Sequence, residues 1–300
     1  MGEAVSARTA ATARVTPGLT DLTHGVRTLG KGILYFCLIA FGLTFILPYF
    51  WMVSTSLKQT GYEFQYPPVW IPNPVVWRNY VDTWNLLPFA LWFWNTIVIV
   101  VLSMAGAILT ASMAGFGFAR LRFPGRGLLF TLCLSTMMLP SIVTLIPKFI
   151  LFTALGWVNT NLPLWVPSWF GGDAFFIFLC RQFFLGIPRE LDEAARIDGA
   201  SSWRIYAQIV LPLSRPVLAT MAVFAFQGSW NDFLGPLIYL PDREKMTLAV
   251  GLNTMLGMYQ TNWNYLMAAS TLMTLPIVVL FFLAQRHFVR GIATTGLAGR

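Results

Sequence analysis

The sequence predicts an all-α polytopic membrane protein with six transmembrane helices, and three observations lead there. Of the 300 residues, 56% are hydrophobic and only 11% are charged. Soluble domains carry roughly 25% charged residues, so this chain has too little polar surface to cover a soluble globule. Six runs approach the length of about 20 mainly apolar residues that a spanning helix needs: 33–53, 91–113, 128–150, 162–184, 216–240 and 265–285. Finally, Lys and Arg collect in alternate connections. The N-terminal arm, Arg120, Arg122, Arg126, the segment Arg181–Arg215 and the C-terminal end hold 15 of the 20. The other side holds only Lys58, Arg78, Lys148, Arg243 and Lys245. By the positive-inside rule both termini are cytoplasmic.

Each element follows in order. Residues 1–31 are rich in Ala, Thr, Ser and Arg without period and read as a flexible cytoplasmic arm. The run Ile33–Val53 exceeds a signal-peptide core and has no small-residue cleavage site, so it reads as the first spanning helix. An outer segment follows, with Trp70, Trp77 and Trp84 at the apolar boundary, as an interfacial aromatic belt requires. The second and third runs are joined by the short cytoplasmic turn Arg120–Gly127. Pro48, Pro140, Pro147, Pro236 and Pro276 predict kinks, which neighbouring helices accommodate in a bundle. The fourth run is interrupted by Pro163, Pro167, Gly171, Gly172 and Asp173, and a broken or late-starting helix accounts for Asp173. The outer loop Pro241–Asn262 separates the last two runs, and residues 286–300 form a short basic tail.

Composition also limits the chemistry. The net charge of +8 is spread over short loops between apolar runs, which is no nucleic-acid footprint. Cys37, Cys133 and Cys180 lie far apart in apolar runs, and His24 and His287 lie outside them. These spacings suit neither a zinc site nor an acid–base pair. No G-x-x-x-x-G-K-[ST] phosphate loop occurs, since Gly30-Lys31-Gly32 lacks the spacing. Neither H-E-x-x-H nor a G-x-S-x-G elbow is found.

The cytoplasmic segment 186–216 stands apart because it is a polar, helix-forming island between apolar runs. Pro188 suits an early helical position, and Glu190, Asp192 and Glu193 complement a helix N-terminus. Leu191, Ala194 and Ala195 give one narrow apolar face. Gly199 supplies a stop where positive φ is cheap. Ser201 or Ser202 caps a second short helix, Trp203 to Val210, which Pro212 ends. Such a knob is either a solvated connector or a docking element, and the residues alone leave both open.

The order E-A-A, three residues, G, nine residues, I, one residue, L-P is met by Glu193-Ala194-Ala195, Gly199, Ile209 and Leu211-Pro212. It resembles the EAA motif of ABC-importer permeases. Arg181-Gln182-Phe183-Phe184, Ile187-Pro188-Arg189-Glu190-Leu191, Trp230-Asn231-Asp232-Phe233 and Gln285-Arg286-His287-Phe288-Val289-Arg290-Gly291 narrow the resemblance to the carbohydrate, MalG-like branch. It spans nearly the whole chain after the arm. The resemblance implies a type I ABC-importer permease fold over 32–285, in a bacterial or archaeal inner membrane. It implies that Glu190, Leu191, Glu193, Ala194, Ala195, Arg196, Asp198, Gly199 and Ala200 form the coupling helix that meets an ATPase. The expected partners are a second, MalF-like permease, two ATPase subunits and an extracytoplasmic sugar-binding protein. The chain itself is expected to be no enzyme and to bind no cofactor; ATP and Mg belong to the partner ATPase. In similar proteins the loop Pro241–Asn262 reaches toward the binding protein, and Gln59–Asp82 is a second candidate for that contact. The expected cargo is a disaccharide, an oligosaccharide or a glycerol-phosphate-type substrate.

Asp232 and its neighbours Trp230, Asn231 and Phe233 admit two readings. Aromatic faces and hydroxyl-binding polar groups suit a sugar path, whereas a bundle hydrogen bond or an interfacial position needs no substrate. Two other functional classes remain to be separated from the permease. A secondary transporter would show internal repeats or several midplane charges, and a membrane enzyme would need a catalytic constellation. The sequence displays neither.

Overall fold

A computed structural model of the chain describes the backbone of residues 17–256 and 262–297, with side chains for 30–256 and 262–285. All regular structure among them is helical. The chain divides into two compact units, Met1–Ser54 and Thr55–Arg300.

The first unit is built on α1 (Pro17–Ser56), which carries Pro48 within it. Its start corrects the sequence expectation of an aperiodic arm through residue 31. Proline is pre-set for a first helical turn, where its missing N–H costs nothing, and no further proline stands between it and the apolar run. Phe36, Phe41 and Phe45 are exposed along it. Residues 1–16 of the expected arm lie outside the described residues.

In the second unit, α2 (Arg78–Leu86) leads into α3 (Phe89–Arg120), then α4 (Arg126–Ser135) and α5 (Leu145–Ala154). The chain continues through α6 (Leu162–Trp165), α7 (Ala174–Leu185), α8 (Glu190–Ile197), α9 (Ser202–Ile205) and α10 (Leu211–Leu213). It closes with α11 (Arg215–Trp230), α12 (Leu234–Tyr239), α13 (Leu248–Thr254) and α14 (Trp263–Leu297). Gly30–Ser56, Phe89–Arg120, Leu162–Leu185 and Trp263–Gln285 are each long and apolar enough to cross a membrane. Two further spans exist only if bent pairs are counted whole: Arg126–Met138 with Ser141–Ala154, bent by 96°, and Ser202–Leu213 with Arg215–Trp230, bent by 77°. The third run is thus broken, because Leu139 and Pro140 are extended rather than helical. The fifth run also stops early: α11 ends at Trp230, and α12 is a separate short helix. The last run exceeds its expected length, since α14 extends to Leu297 through the segment expected as a tail.

Helix α3 is the centre of this unit. Ala111, Gly115 and Ala119 recur at i, i+4 and i+8 along it and are buried. A Cβ on Gly115 would stand 2.6 Å from Cys180 Cβ and 3.1 Å from the Arg181 backbone nitrogen. Small residues at this spacing let two backbones approach closely, which is how spanning helices gain packing energy when lipid removes the hydrophobic drive. Phe176, Cys180 and Phe184 of α7 and Met221 and Ala225 of α11 complete this core. A second cluster gathers Trp92 of α3, Trp230 of α11, Leu248 of α13 and Ala269 of α14.

Candidate coupling site

The segment after α7 folds into a compact knob whose joints are capped. Asp192 and Glu193 donate their backbone N–H groups to Arg189 O at 2.9 and 3.1 Å, starting α8 behind Pro188. Three acids in the first turn and Arg196 in the last complement the helix dipole. At the other end Gly199 has φ +78°, as expected from the sequence. Its N–H bonds Arg196 O at 3.0 Å, and the Ala200 N–H reaches back to Ala195 O at 2.8 Å. These two bonds satisfy carbonyls that a helix end leaves open, and an apolar contact normally accompanies them. Here Ala195 and Ala200 both pack against the main core. Ser201 then opens α9 by accepting a hydrogen bond from the Arg204 N–H at 3.3 Å.

The second short helix runs further than the sequence suggests. It starts at Ser202, passes through a π turn at Tyr206–Val210 and ends at Leu213, beyond Pro212. The wider turn shifts the backbone ladder so that Leu211 bonds Tyr206 O, and proline enters as if at a fresh helix start. Tyr206 anchors this helix in the core. Its hydroxyl meets Ser112 Oγ at 2.7 Å, and its ring packs on Phe116 and Trp203.

The two faces of α8 are chemically distinct. Leu191, Ala194 and Ile197 are exposed, as is Trp203 on the neighbouring helix. Ala195, grouped with Leu191 and Ala194 at first reading, turns inward instead. The charged face, Arg189, Asp192, Glu193 and Arg196, borders a cleft of about 570 Å³ shared with the turn Arg120–Phe123. Glu190 and Asp198 are exposed at the two ends of the helix.

Arg120 joins these parts, and the sequence marked it only as a cytoplasmic charge. Its Nη2 donates to Phe184 O and Ile187 O, both at 2.7 Å, at the C-terminal end of α7. Its Nη1 lies 3.4 Å from Asp192 Oδ2 on α8. The two side chains are 2% and 10% exposed. A cation at a helix C-terminus meets the negative end of the dipole, and a charged donor contributes about 1.5–3 kcal/mol per hydrogen bond.

At the opposite end of α3 the loop before α13 is pinned from two sides. Trp92 Nε1 donates to Arg243 O at 2.7 Å, and Asn95 Nδ2 donates to Glu244 O at 2.8 Å. The Leu248 N–H bonds Thr96 Oγ1 at 2.9 Å, while Lys245 Nζ reaches Asn159 O at 2.8 Å. Residues 257–261, which follow α13 in the expected outer loop Pro241–Asn262, lie outside the described residues.

With this geometry established, residues 107–294 match the family of binding-protein-dependent transport system inner membrane components. The chain belongs to this family. Relatives extend the match over nearly its full length. It is 36% identical to the arabinooligosaccharides transport system permease protein AraQ of Halalkalibacterium halodurans, over 91% of this chain and 95% of that protein. It is 35% identical to the sn-glycerol-3-phosphate transport system permease protein UgpE of Yersinia enterocolitica, over 87% and 96%. Its fold is similar to that of a chain in a bacterial ABC transporter involved in the import of the acidic polysaccharide alginate. That likeness has a TM-score of 0.78 at 22% identity, covering 87% of this chain and 97% of the other.

The Trp230–Phe233 stretch, for which the sequence leaves a sugar path and a bundle contact both open, places its four residues in different surroundings. Trp230 is fully buried, donates Nε1 to Met273 O at 3.0 Å and stacks on Phe226, so it is a core residue. Asn231 is exposed and donates to Gln227 O at 3.0 Å. Asp232 Oδ1 accepts the Gly235 N–H at 3.2 Å and shapes the turn into α12. Phe233 alone borders an open groove of about 310 Å³, shared with α13 and α14. Asp173, as expected, caps a late-starting helix: its Oδ1 accepts the Phe175 N–H at 2.9 Å. The sequence reading missed a cleft of about 300 Å³ between α3 and α11, with Ser103, Ser168, Asp173 and Ser229 at its edge. Its hydroxyls are scattered over three runs, and no local pattern announces them.

Proposed function

We propose that this chain is one of two membrane subunits of a sugar-importing ABC transporter, and that the α8 knob is where it meets the ATPase. The observation that carries the reading is the exposed apolar row Leu191, Ala194 and Ile197 on a helix whose C-terminal end is closed by the Gly199 turn and whose opposite side is held by Arg120. An exposed apolar row on a cytoplasmic helix is an interaction surface, and a short helix moves as a unit because its backbone bonds fix its length. Orientation follows from the Lys and Arg distribution, with both termini and the knob cytoplasmic.

The partners are a second, MalF-like permease, two ATPase subunits that bind ATP and Mg, and an extracytoplasmic binding protein. The pinned loop before α13 is the surface offered to the binding protein. ATP binding draws the ATPases together, the two coupling helices follow, and a central path opens outward. Hydrolysis returns it toward the cytoplasm. Net movement arises because the two states differ in affinity and access. The relatives' names support a sugar or a phosphorylated polyol as cargo: one is named for an arabinooligosaccharides transport system and another for an sn-glycerol-3-phosphate transport system.

Affinity purification of the tagged chain from its own membranes tests this. The expected result is co-purification of an ATPase and a second permease, with vanadate-sensitive uptake in vesicles. Uptake that persists with the ATPase removed would overturn the reading. Calorimetric screening of sugars against the associated binding protein identifies the cargo.

A further inference from the structure

We infer that Arg120 is the pivot through which displacement of α8 reaches α3 and α7, with Asp192 as its moving partner. The inference rests on the reading of α8 as the coupling helix and adds the residue pair that carries its motion inward.

The guanidinium is anchored on one side and open on the other. Both bonds of Nη2 go to the end of α7, on Phe184 O and Ile187 O. Arg120 itself is the last residue of α3, so its guanidinium adds a polar tie to the packed α3 and α7 pair. Asp192, by contrast, is met at 3.4 Å by Nη1 alone. Arginine and carboxylate commonly form two parallel bonds, whereas this contact is an ion pair without that fork. Arg120 Nε and Asp192 Oδ1 are buried and make no hydrogen bond among the described residues. The pair is held by charge rather than by a fixed set of hydrogen bonds, so the carboxylate can shift about Nη1 without losing its ion pair. During that shift Nη2 keeps its grip on α7. Buried interactions of this kind have discrete arrangements, which is what transmitting a displacement requires.

The surroundings supply no substitute. Arg122, Arg189 and Arg196 border the same cleft but form no ion pair among the described residues, and Glu193 is exposed. Asp192 is the one acid of α8 that is buried. Its loss would leave α8 attached through the small contacts of Ala195 and Ala200.

The test uses the assembled transporter in proteoliposomes with its binding protein, and it reads uptake per ATP hydrolysed and the amount of ATPase bound. Asp192→Asn and Arg120→Lys should leave the ATPase bound while uptake per ATP falls about tenfold, and Asp192→Glu should restore most of it. Unchanged uptake per ATP in Asp192→Asn, or a loss that merely follows the amount of complex, would overturn the inference. If Arg120→Lys fails to accumulate, Asp192→Asn decides alone. Ile197→Asp keeps the underlying reading separate. Retention of the ATPase in that variant removes the coupling-helix reading, whereas loss of the ATPase together with an unaffected Asp192→Asn removes only the pivot.

Discussion

Gly251 lies so close to Trp92 that an added Cβ would overlap the indole ring at Cε3. Helix α13 is thereby pressed against the N-terminal part of α3, where Trp92 also holds Arg243 O. Gly251→Ala must push the indole or the helix aside, and overpacking of this kind costs about 1–3 kcal/mol. The expected result is a lower unfolding temperature of the purified complex, together with weaker stimulation by the binding protein. Gly127→Ala, at an exposed helical position where an added Cβ meets nothing, provides a surface comparison.

Two glycines of α3, two residues apart and so on nearly opposite faces of the helix, should respond differently. A Cβ at Gly115 meets Cys180 Cβ and the Arg181 backbone, which cannot move away. A Cβ at Gly117 meets nothing within 4 Å. Gly115→Ala should destabilise by about 1–3 kcal/mol. Gly117→Ala should be neutral or stabilise by up to about 1 kcal/mol through helix propensity. Thermal unfolding in detergent, followed by the amount of complex remaining in solution, checks both.

At the knob, Gly199 has room for a side chain but sits at φ +78°. Gly199→Ala should cost about 1–2 kcal/mol of local strain and leave much of the uptake intact. Gly199→Asp adds a charge beside Asp198 on the exposed end of α8, and Glu193→Lys adds a cation to a cleft already bordered by Arg120, Arg122, Arg189 and Arg196. Both should abolish uptake while membrane insertion stays normal, which quantitative blotting of membranes alongside transport assays will measure. Undiminished transport in either charged variant would contradict the docking role.

Trp230→Phe discriminates between core and path. It keeps the stacking against Phe226 but removes the bond to Met273 O. A lost hydrogen bond costs about 1 kcal/mol, with the carbonyl left unsatisfied. Stability should fall by that order while the order of preference among sugars stays the same. A changed preference would return Trp230 to the substrate path.

Local rules explain why so much of the knob was readable. Helix start, positive φ at Gly199 and the Ser201 cap each depend on residues within a few positions of one another. Ile197 was readable too: it continues the spacing of Leu191 and Ala194 but lay outside the motif. What could not be read is long-range or geometric. Arg120 finds Asp192 only because α3 and α7 lie side by side, and a lone arginine before a turn resembles any other positive charge. Trp230 looked like a sugar platform because aromatic residues serve cores and paths alike. Pro140 signalled a kink, but its size depends on the extended Leu139 beside it. The π turn before Pro212 leaves no local signature other than the proline it accommodates.

The bend of 96° between Arg126–Met138 and Ser141–Ala154 has a consequence for where this molecule can exist. The elbow keeps local bonds, the Leu139 N–H on Thr136 O at 3.2 Å and the Val143 N–H on Pro140 O at 3.0 Å, while Met138, Leu139 and Ile142 are exposed around it. Non-helical backbone at membrane depth is tolerated where it is covered by protein or lines water. That face therefore belongs against another polypeptide or a column of water rather than acyl chains. A solitary copy is ill-suited to the bilayer, and the elbow marks the flank along which it requires company.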